Sequence, residues 1–371
     1  MKLSAKDLPE FRQRLLAWFS HRKRDLPWRR TGDPYRIWLA EVMLQQTRVA
    51  AVLPYYRRFL RRFPSLAALA RARAEQVLRR WAGLGYYSRA RNLLRAAKVL
   101  RARHRGRFPR EMEAALRLPG IGRYTAAAVL SMAYGASCAV LDGNVARVLA
   151  RLEALRGDLR APRRWRQLQG LAENFLAHEA PGDWNQAMME LGATVCTPGA
   201  PRCTACPVSP WCRAYRLGIA RSLPTARKKR SPVRVQIAAA VLLDARGRTL
   251  VVKDTDGRDG ALFSRMWQFP ALEVSPLQKD ELARHLRPLF GRDYGELLSL
   301  PPARHTVTFR DITLTPYLVR VTRLPKVRGA RTPLLAKLDR LPISNATRKI
   351  AVIALRHASG RPPDREDAGT P

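Results

Sequence analysis

The sequence predicts a two-part chain, all-helical up to about residue 221 and α+β after it. Three observations carry that prediction. Apolar residues recur at helical spacing, and no strand-like alternation occurs before residue 230. A charged, proline-bounded segment at 222–232 reads as a linker. After it the chain becomes β-branched, with turn residues between apolar runs.

The elements follow in order. Residues 8–30 read as a helix through Leu8, Phe11, Leu15, Leu16, Trp18 and Phe19, ending near Pro27. A second helical region covers 34–60, with breaks at Pro54 and Pro64. Residues 66–78, 89–103 and 112–118 continue the pattern. Leu118-Pro119-Gly120-Ile121-Gly122 then makes a tight turn, and the apolar run from Ala126 to Tyr134 is the helix after it. Two glycines around one aliphatic residue leave backbone N–H groups open to an anion. The chain returns at Leu141-Asp142-Gly143-Asn144, and Val145, Val148, Leu149 and Leu152 form the stripe of the next helix. Asp142 stands at that helix start, where unpaired N–H groups and the positive dipole end favour its ionised form. In the second part, residues 233–243 and 249–253 read as strands around a turn at 244–248. Trp267-Gln268-Phe269-Pro270, a helical 276–290, an alternating run over 305–321 and a final helix at 345–357 follow, and the polar tail from 359 on is expected to be disordered.

Composition narrows the class. With 46% hydrophobic residues the chain can bury real cores. Lys and Arg number 69 against 29 Asp and Glu, a net charge of +40 that a polyanionic partner would explain. A generally Arg-rich surface is the competing account. Residues 1–10 have no apolar signal core, and no run approaches the roughly 18 apolar residues that cross a bilayer. The expected location is therefore cytoplasmic and nucleoid-associated, without membrane contact. Cys196, Cys203, Cys206 and Cys212 crowd into 17 positions, which in a reducing compartment argues for metal over disulfides; spacing alone leaves zinc and a [4Fe-4S] cluster both open. Cys138, alone in an apolar stretch, reads as a core thiol.

Glu41 is an acid embedded in Ile37-Trp38-Leu39-Ala40-Glu41-Val42-Met43-Leu44. If it is desolvated, its neutral form is favoured, as a general acid requires. Gln45 at i+4 and Arg48 at i+7 put acid, amide and cation on one helical face. Trp81-Ala82-Gly83-Leu84-Gly85-Tyr86-Tyr87 is a second small-residue turn carrying two tyrosines, which as a bland alternative are core residues.

These stretches resemble a known family. The glycine turn at 118–122 with Leu141-Asp142-Gly143-Asn144-Val145 resembles the helix-hairpin-helix and Gly-Pro-Asp signature of base-excision DNA glycosylases. The cysteine spacing is similar to that of the endonuclease III and adenine glycosylase families, and the Glu41 segment resembles the adenine glycosylase motif. The resemblance implies an all-α, two-module glycosylase domain over 1–221 with an iron-sulfur loop at 196–212. A linker at 222–233, a Nudix-like (MutT-like) α+β recognition domain at 234–357 and a disordered tail at 358–371 complete the expected layout. It implies a [4Fe-4S] cluster on Cys196, Cys203, Cys206 and Cys212, serving structure and DNA positioning. Glu41 would be the acid that protonates adenine N7 and Asp142 the carboxylate facing an oxocarbenium-like sugar, with Asn144 and Tyr124 positioning the attacking water. In the lyase-competent endonuclease III type a lysine stands where this chain has Tyr124, so the implied enzyme is monofunctional. Tyr86 would fill the gap left by the extruded base, and Gln45 or Gln46 would read the opposing base. Arg48, Gly120, Ile121 and Gly122 would contact DNA, while Trp28, Arg29 and Gln186 would lie near the adenine pocket.

Residues 271–291 lack the acid cluster of a Nudix hydrolase, since Glu273, Asp280 and Glu281 have the wrong spacing; the domain is expected to bind and not to hydrolyse. The family's Phe-Ser-His loop aligns with Val307-Thr308-Phe309, in which Thr308 keeps a hydroxyl while the aromatic and imidazole are lost from their places. The expected partner is double-stranded DNA with A:8-oxoguanine or A:G mispairs, acted on by a monomer. The rival readings are an endonuclease III-like pyrimidine or G:T mismatch glycosylase, a silent iron-sulfur DNA-binding or redox-sensing protein, and a Nudix hydrolase.

Overall fold

The computed structural model describes residues 4–225, 231–253, 266–274, 282–284, 296–307 and 309–359. The chain divides into two compact units, Met1–Ala72 with Arg91–Lys228, and Arg73–Ala90 with Lys229–Pro371. Among the described residues the first strand begins at Val233, so the N-terminal part is helical as expected.

In the first unit, α1 (Leu8–Arg22) is shorter than the expected 8–30. The backbone turns extended at Lys23, the buried carboxylate of Glu190 accepts the Arg24 N–H at 3.0 Å, and Pro27 opens a separate 3-10 turn, Pro27–Arg29. These competing partners end the helix before its apolar pattern does. Helix α2 (Pro34–Leu44) is capped by Asp33, whose carboxylate accepts the Tyr35 N–H at 2.8 Å. Tyr35 and every residue from Ile37 to Met43 are buried, so α2 is a central helix surrounded by protein.

The expected break at Pro54 is instead at Gln45–Arg48. Pro54 lies inside α3 (Val49–Arg62), on its exposed side. Its missing N–H leaves only the carbonyl of Ala50, an exposed residue of the first turn, for water to satisfy. Residues 66–78 form two helices rather than one, α4 (Leu66–Ala70) and α5 (Ala74–Trp81), the second of which belongs to the other unit. There follow α6 (Tyr87–Arg103), α7 (Met112–Leu116), α8 (Arg123–Tyr134), α9 (Gly143–Leu152), α10 (Pro162–Phe175), α11 (Pro181–Thr194) and the short α12 (Arg213–Arg216).

α2 packs on α8, and α11 lies against α1, α8 and α9. Phe11 is the aromatic centre of this core, with ring centroids 5.6 Å from Phe175, 5.8 Å from Trp184 and 5.7 Å from Trp211. Trp211 belongs to the cysteine loop, so an aromatic anchor ties that loop to the N-terminal helix.

The second unit is α+β, as expected. Strand β1 (Val233–Leu243) pairs in parallel with β7 (Arg310–Arg320) and antiparallel with β4 (Ala271–Val274). On the far side of β7 lie β5 (Leu298–Ser299) and β6 (Ala303–Val307). The expected run over 305–321 is thus a hairpin, with Val307 opposite Arg310. The segment at 249–253 returns to β1 through a single bridge, Leu243 to Thr249; β2 (Val252–Lys253) pairs with β3 (Trp267–Gln268). Helix α13 (Asn345–Ala358) covers one face, burying Ile350, Ala351 and Ala354 against Val241, Phe269 and Leu314. Of the expected helix at 276–290 only 282–284 is described, and it is helical. Thr308, Asp280, Glu281 and residues 360–371 lie outside the described residues.

Candidate active site

The helix pairs α2/α8 and α9/α11 border a cleft of about 840 Å³. Trp28, Arg29, Glu41, Gln45, Gln46, Arg48, Tyr124, Asp142, Asn144 and Gln186, all expected site residues, line it. The sequence scatters them over more than 150 positions, and the fold brings them to one place.

Glu41 is 4% exposed on the third turn of α2. Tyr124, the second residue of α8, donates its hydroxyl to Glu41 Oε2 at 2.6 Å, and Met189 Sδ is 3.2 Å from the same hydroxyl. Burial raises the Glu41 carboxyl to about 7, the nearby Asp142 charge adds to the rise, and the Tyr124 hydrogen bond and Arg29 oppose it. Burial likewise drives Tyr124 well above its ordinary range, so its phenol stays protonated and serves as a fixed donor.

Asp142 caps α9 as expected. Its Oδ1 accepts the Val145 N–H at 2.7 Å, and its Oδ2 accepts from Asn144 Nδ2 at 3.0 Å. The cap, the Asn144 amide and Arg147 all favour the carboxylate. Desolvation outweighs them, so Asp142 lies above its ordinary value and not below it as the sequence suggested. The reason is the burial that the folded chain imposes on the carboxylate, which the sequence does not display.

Gln45 caps the end of α2, where its amide donates to Thr125 Oγ1 at 3.3 Å. Gln46 follows with φ +56, a left-handed conformation rare outside glycine. The helix has already ended, so Arg48 does not extend the Glu41 face; it precedes α3 and is exposed at the cleft rim. Trp28 is buried with its ring edge-on to Tyr56 at 5.2 Å, and Gln186 Nε2 donates to the Gly182 carbonyl at 3.3 Å.

The sequence did not reveal the polar network beneath these groups. Glu190, fully buried on α11, accepts two hydrogen bonds from the Arg24 side chain, at 2.8 and 2.7 Å, and one from Arg29 at 2.8 Å. Burial would raise its carboxyl, but the hydrogen bonds from Arg24 and Arg29 win and hold it at about 2. Arg147 on α9 donates to Asn144 Oδ1 at 2.9 Å, Gly192 O at 2.8 Å and Cys196 O at 2.9 Å. One guanidinium thereby joins the Asp142 cap to the cysteine loop. No local motif marks these residues, because apart from Asn144 the partners named here lie 45 to 166 positions away.

In the glycine turn, Gly120 has φ +77, and a Cβ there would come within 2.5 Å of Asn92 Cβ. Gly122 is extended and precedes Arg123, so α8 begins three residues earlier than its apolar run. Tyr86, 39% exposed with φ +49, belongs to the second unit. At the β6–β7 hairpin tip Phe309 is 46% exposed, with the Arg310 guanidinium 5.6 Å from its ring centre.

Cys196, Cys203, Cys206 and Cys212 border one small cavity together with Arg151. Among the described residues no three His, Cys, Asp or Glu side chains converge closely enough to hold a single ion. Arg151 is 1% exposed; its Nη1 lies 3.2 Å from Cys196 Sγ and its Nη2 has no hydrogen-bond partner among the described residues. Cys138 is half-buried at the edge of the core.

Residues 39–173 match the HhH-GPD superfamily of base excision DNA repair proteins. The adenine DNA glycosylases of Homo sapiens and Mus musculus are 48% and 46% identical over 56% and 57% of this chain, matches that span 40% and 42% of those proteins' own lengths. The adenine DNA glycosylase of Rattus norvegicus is 33% identical over 95% of this chain and 80% of that protein. Among solved structures, a thermostable thymine-DNA glycosylase aligns over 58% of this chain and all of its own, with 30% identity and a TM-score of 0.53. No helix among the described residues is long and apolar enough to cross a membrane. With its buried acid, its capped Asp142 and a relative matched along nearly its whole length, the chain belongs to the adenine DNA glycosylase family.

Proposed function

We propose that the protein is a monofunctional adenine DNA glycosylase that extrudes adenine mispaired with 8-oxoguanine or guanine and hydrolyses its N-glycosidic bond. One observation carries the reading: in a single cleft a carboxyl held at about 7 by burial receives a hydrogen bond from Tyr124, beside a second carboxylate fixed as a helix cap. Protonated Glu41 gives its proton to the purine, which makes the base a better leaving group. Asp142, ionised, faces the cationic sugar that develops as the bond breaks, and Asn144 orients it. Tyr124 holds Glu41 and offers no amine to attack the sugar, so an abasic site is left without strand scission. The resemblance that names Tyr86 as the wedge, and Gln45, Gln46, Gly120, Ile121 and Gly122 as DNA contacts, supports extrusion of the base.

The four cysteines suit a [4Fe-4S] cluster better than zinc. They share one cavity without converging on a point, and Nη1 of the buried Arg151 lies 3.2 Å from the Cys196 sulfur, a cationic donor of the kind a net-negative thiolate group requires. Such a group would supply a rigid cross-link between the end of α11, the loop and the start of α12; acid-labile sulfide equal to iron in the purified protein checks it.

Single-turnover base release from duplexes carrying A:8-oxoguanine, A:G, A:C and T:G, followed by alkali, tests the function. Strand breaks that appear only after alkali, and fastest for A:8-oxoguanine, are expected. Release only from T:G would replace the adenine reading with the mismatch one, to which the 30% identity with a thymine-DNA glycosylase points.

A further inference from the structure

The turn between α5 and α6 is costly to hold. Gly83, Gly85 and Tyr86 have φ of +100, +75 and +49, three left-handed residues within four positions, and Tyr86 bears a side chain there. A turn of this kind keeps its shape only if its carbonyls are occupied. Trp81 Nε1 donates to the Gly85 carbonyl at 3.1 Å, and Arg89 Nη2 donates to the same oxygen at 3.2 Å. The Arg89 guanidinium also lies 5.2 Å from the Tyr86 ring centre and 5.5 Å from that of Trp81. The Gly83 carbonyl is served from far along the chain. Asn345, the first residue of α13, donates to it from Nδ2 at 3.1 Å. Two further ties bracket the turn within the same unit: the Arg331 guanidinium grips both Glu75 carboxylate oxygens at 2.6 and 3.2 Å, and Tyr87 Oη reaches the Ile343 carbonyl at 3.5 Å.

We propose that Asn345 is a positioning residue for Tyr86. By fixing the Gly83 carbonyl, the last helix of the sheet domain holds the turn in the conformation that presents the tyrosine ring to DNA. The proposal rests on the reading of Tyr86 as the residue that fills the gap left by the extruded adenine. It gives the C-terminal domain a part in extrusion in addition to contact with the opposing base.

Asn345→Asp and Asn345→Ala, made in the full chain, test it together with Tyr86→Ala and the double variant. Asp at the first position of a helix is favourable, so Asn345→Asp removes the donor while α13 keeps its N-terminal stability. The readouts are single-turnover adenine release from A:8-oxoguanine duplex and the fluorescence rise of 2-aminopurine placed beside the target adenine. Loss of one hydrogen bond to a strained turn is expected to slow both by about fivefold to tenfold. In the Tyr86→Ala background, loss of Asn345 is expected to change neither rate further. Wild-type fluorescence kinetics in Asn345→Asp, or a loss that multiplies with that of Tyr86→Ala, overturns the proposal while the adenine reading stands. A Tyr86→Ala chain with wild-type kinetics removes the wedge and the proposal with it. Absence of adenine release from the wild-type chain separately overturns the function.

Discussion

Glu41 gives the protein a pH signature that two experiments read differently. Its folded value of about 7 exceeds the ordinary 4.5, so its contribution to stability is complete below about pH 4.5 and is lost as the pH rises through 7. Glu41→Gln keeps an acceptor for the Tyr124 hydroxyl and removes the buried charge. The variant should gain up to about 3 kcal/mol over the parent at pH 8 and nothing at pH 4, read as the difference in denaturant midpoints. Base release should meanwhile fall below detection. For the parent, activity needs Glu41 protonated and Asp142 ionised, so the rate should be bell-shaped. The limb at high pH should bend near 7, and the limb at low pH should lie above the ordinary aspartate value because burial raises Asp142. A flat profile across pH 6 to 8 would show that chemistry is not limiting or that Glu41 is not the acid. Glu41 was legible because an acid among seven apolar neighbours contradicts its surroundings. Glu190 was not: its helix reads as ordinary, and its partners Arg24 and Arg29 are 166 and 161 residues away. Its signature has the opposite sign, with stability present above the ordinary carboxylate range and lost as the pH falls through about 2. Replacing Arg29 by Met leaves part of that buried charge unpaired and should cost about 3 kcal/mol in denaturant unfolding at pH 7.

Helix α9 is the element on which site and scaffold meet. Asp142 caps it, Arg147 reaches Asn144, Gly192 and Cys196 from its first half, and Arg151 reaches Cys196, Thr197 and Leu223 from its second. The close approach of α11 to α9 at Gly192 makes this possible: a Cβ there would lie 2.7 Å from Asn144 Cβ. Gly192→Ala should therefore displace Asn144, costing about 1–3 kcal/mol of stability and slowing base release, while Kd for undamaged duplex is unchanged. If release runs at the parent rate, Asn144 has no part in orienting Asp142. The stripe of α9 was plain in the sequence, because a single apolar face follows a capping residue. The boundaries of α1 and α2 were not, because tertiary partners set them: Glu190 captures the Arg24 N–H, and the chain leaves helical geometry at Gln45 although Pro54 looked like the stronger breaker. In the second unit β1 was readable from its apolar run, whereas its parallel partner β7 begins 67 positions after β1 ends, a pairing that no local pattern specifies.

For the whole molecule the governing quantity is charge. A net +40 on 371 residues exceeds what solubility requires, and composition alone favoured a nucleic-acid partner over a generally Arg-rich surface without deciding between them. Salt dependence separates them. A protein that neutralises phosphates releases condensed counterions, so its affinity falls linearly in a double-logarithmic plot with a slope of about −0.9 per phosphate contact. If on the order of six phosphates are neutralised, raising salt from 50 to 200 mM should weaken binding to an undamaged duplex by about 10³. Arginines scattered over all solvated faces as a proteome habit would give a slope no steeper than about −2 in the same titration. The glycosidic step is governed by Glu41 and Asp142, whose carboxyls are desolvated inside the cleft, so at saturating enzyme the rate of base release should stay within about twofold over the same salt range. A steep binding slope with a flat chemical rate assigns the excess charge to holding DNA. A shallow slope assigns it to the surface alone and leaves binding to the glycine turn at Gly120 and the left-handed residues Gln46 and Tyr86.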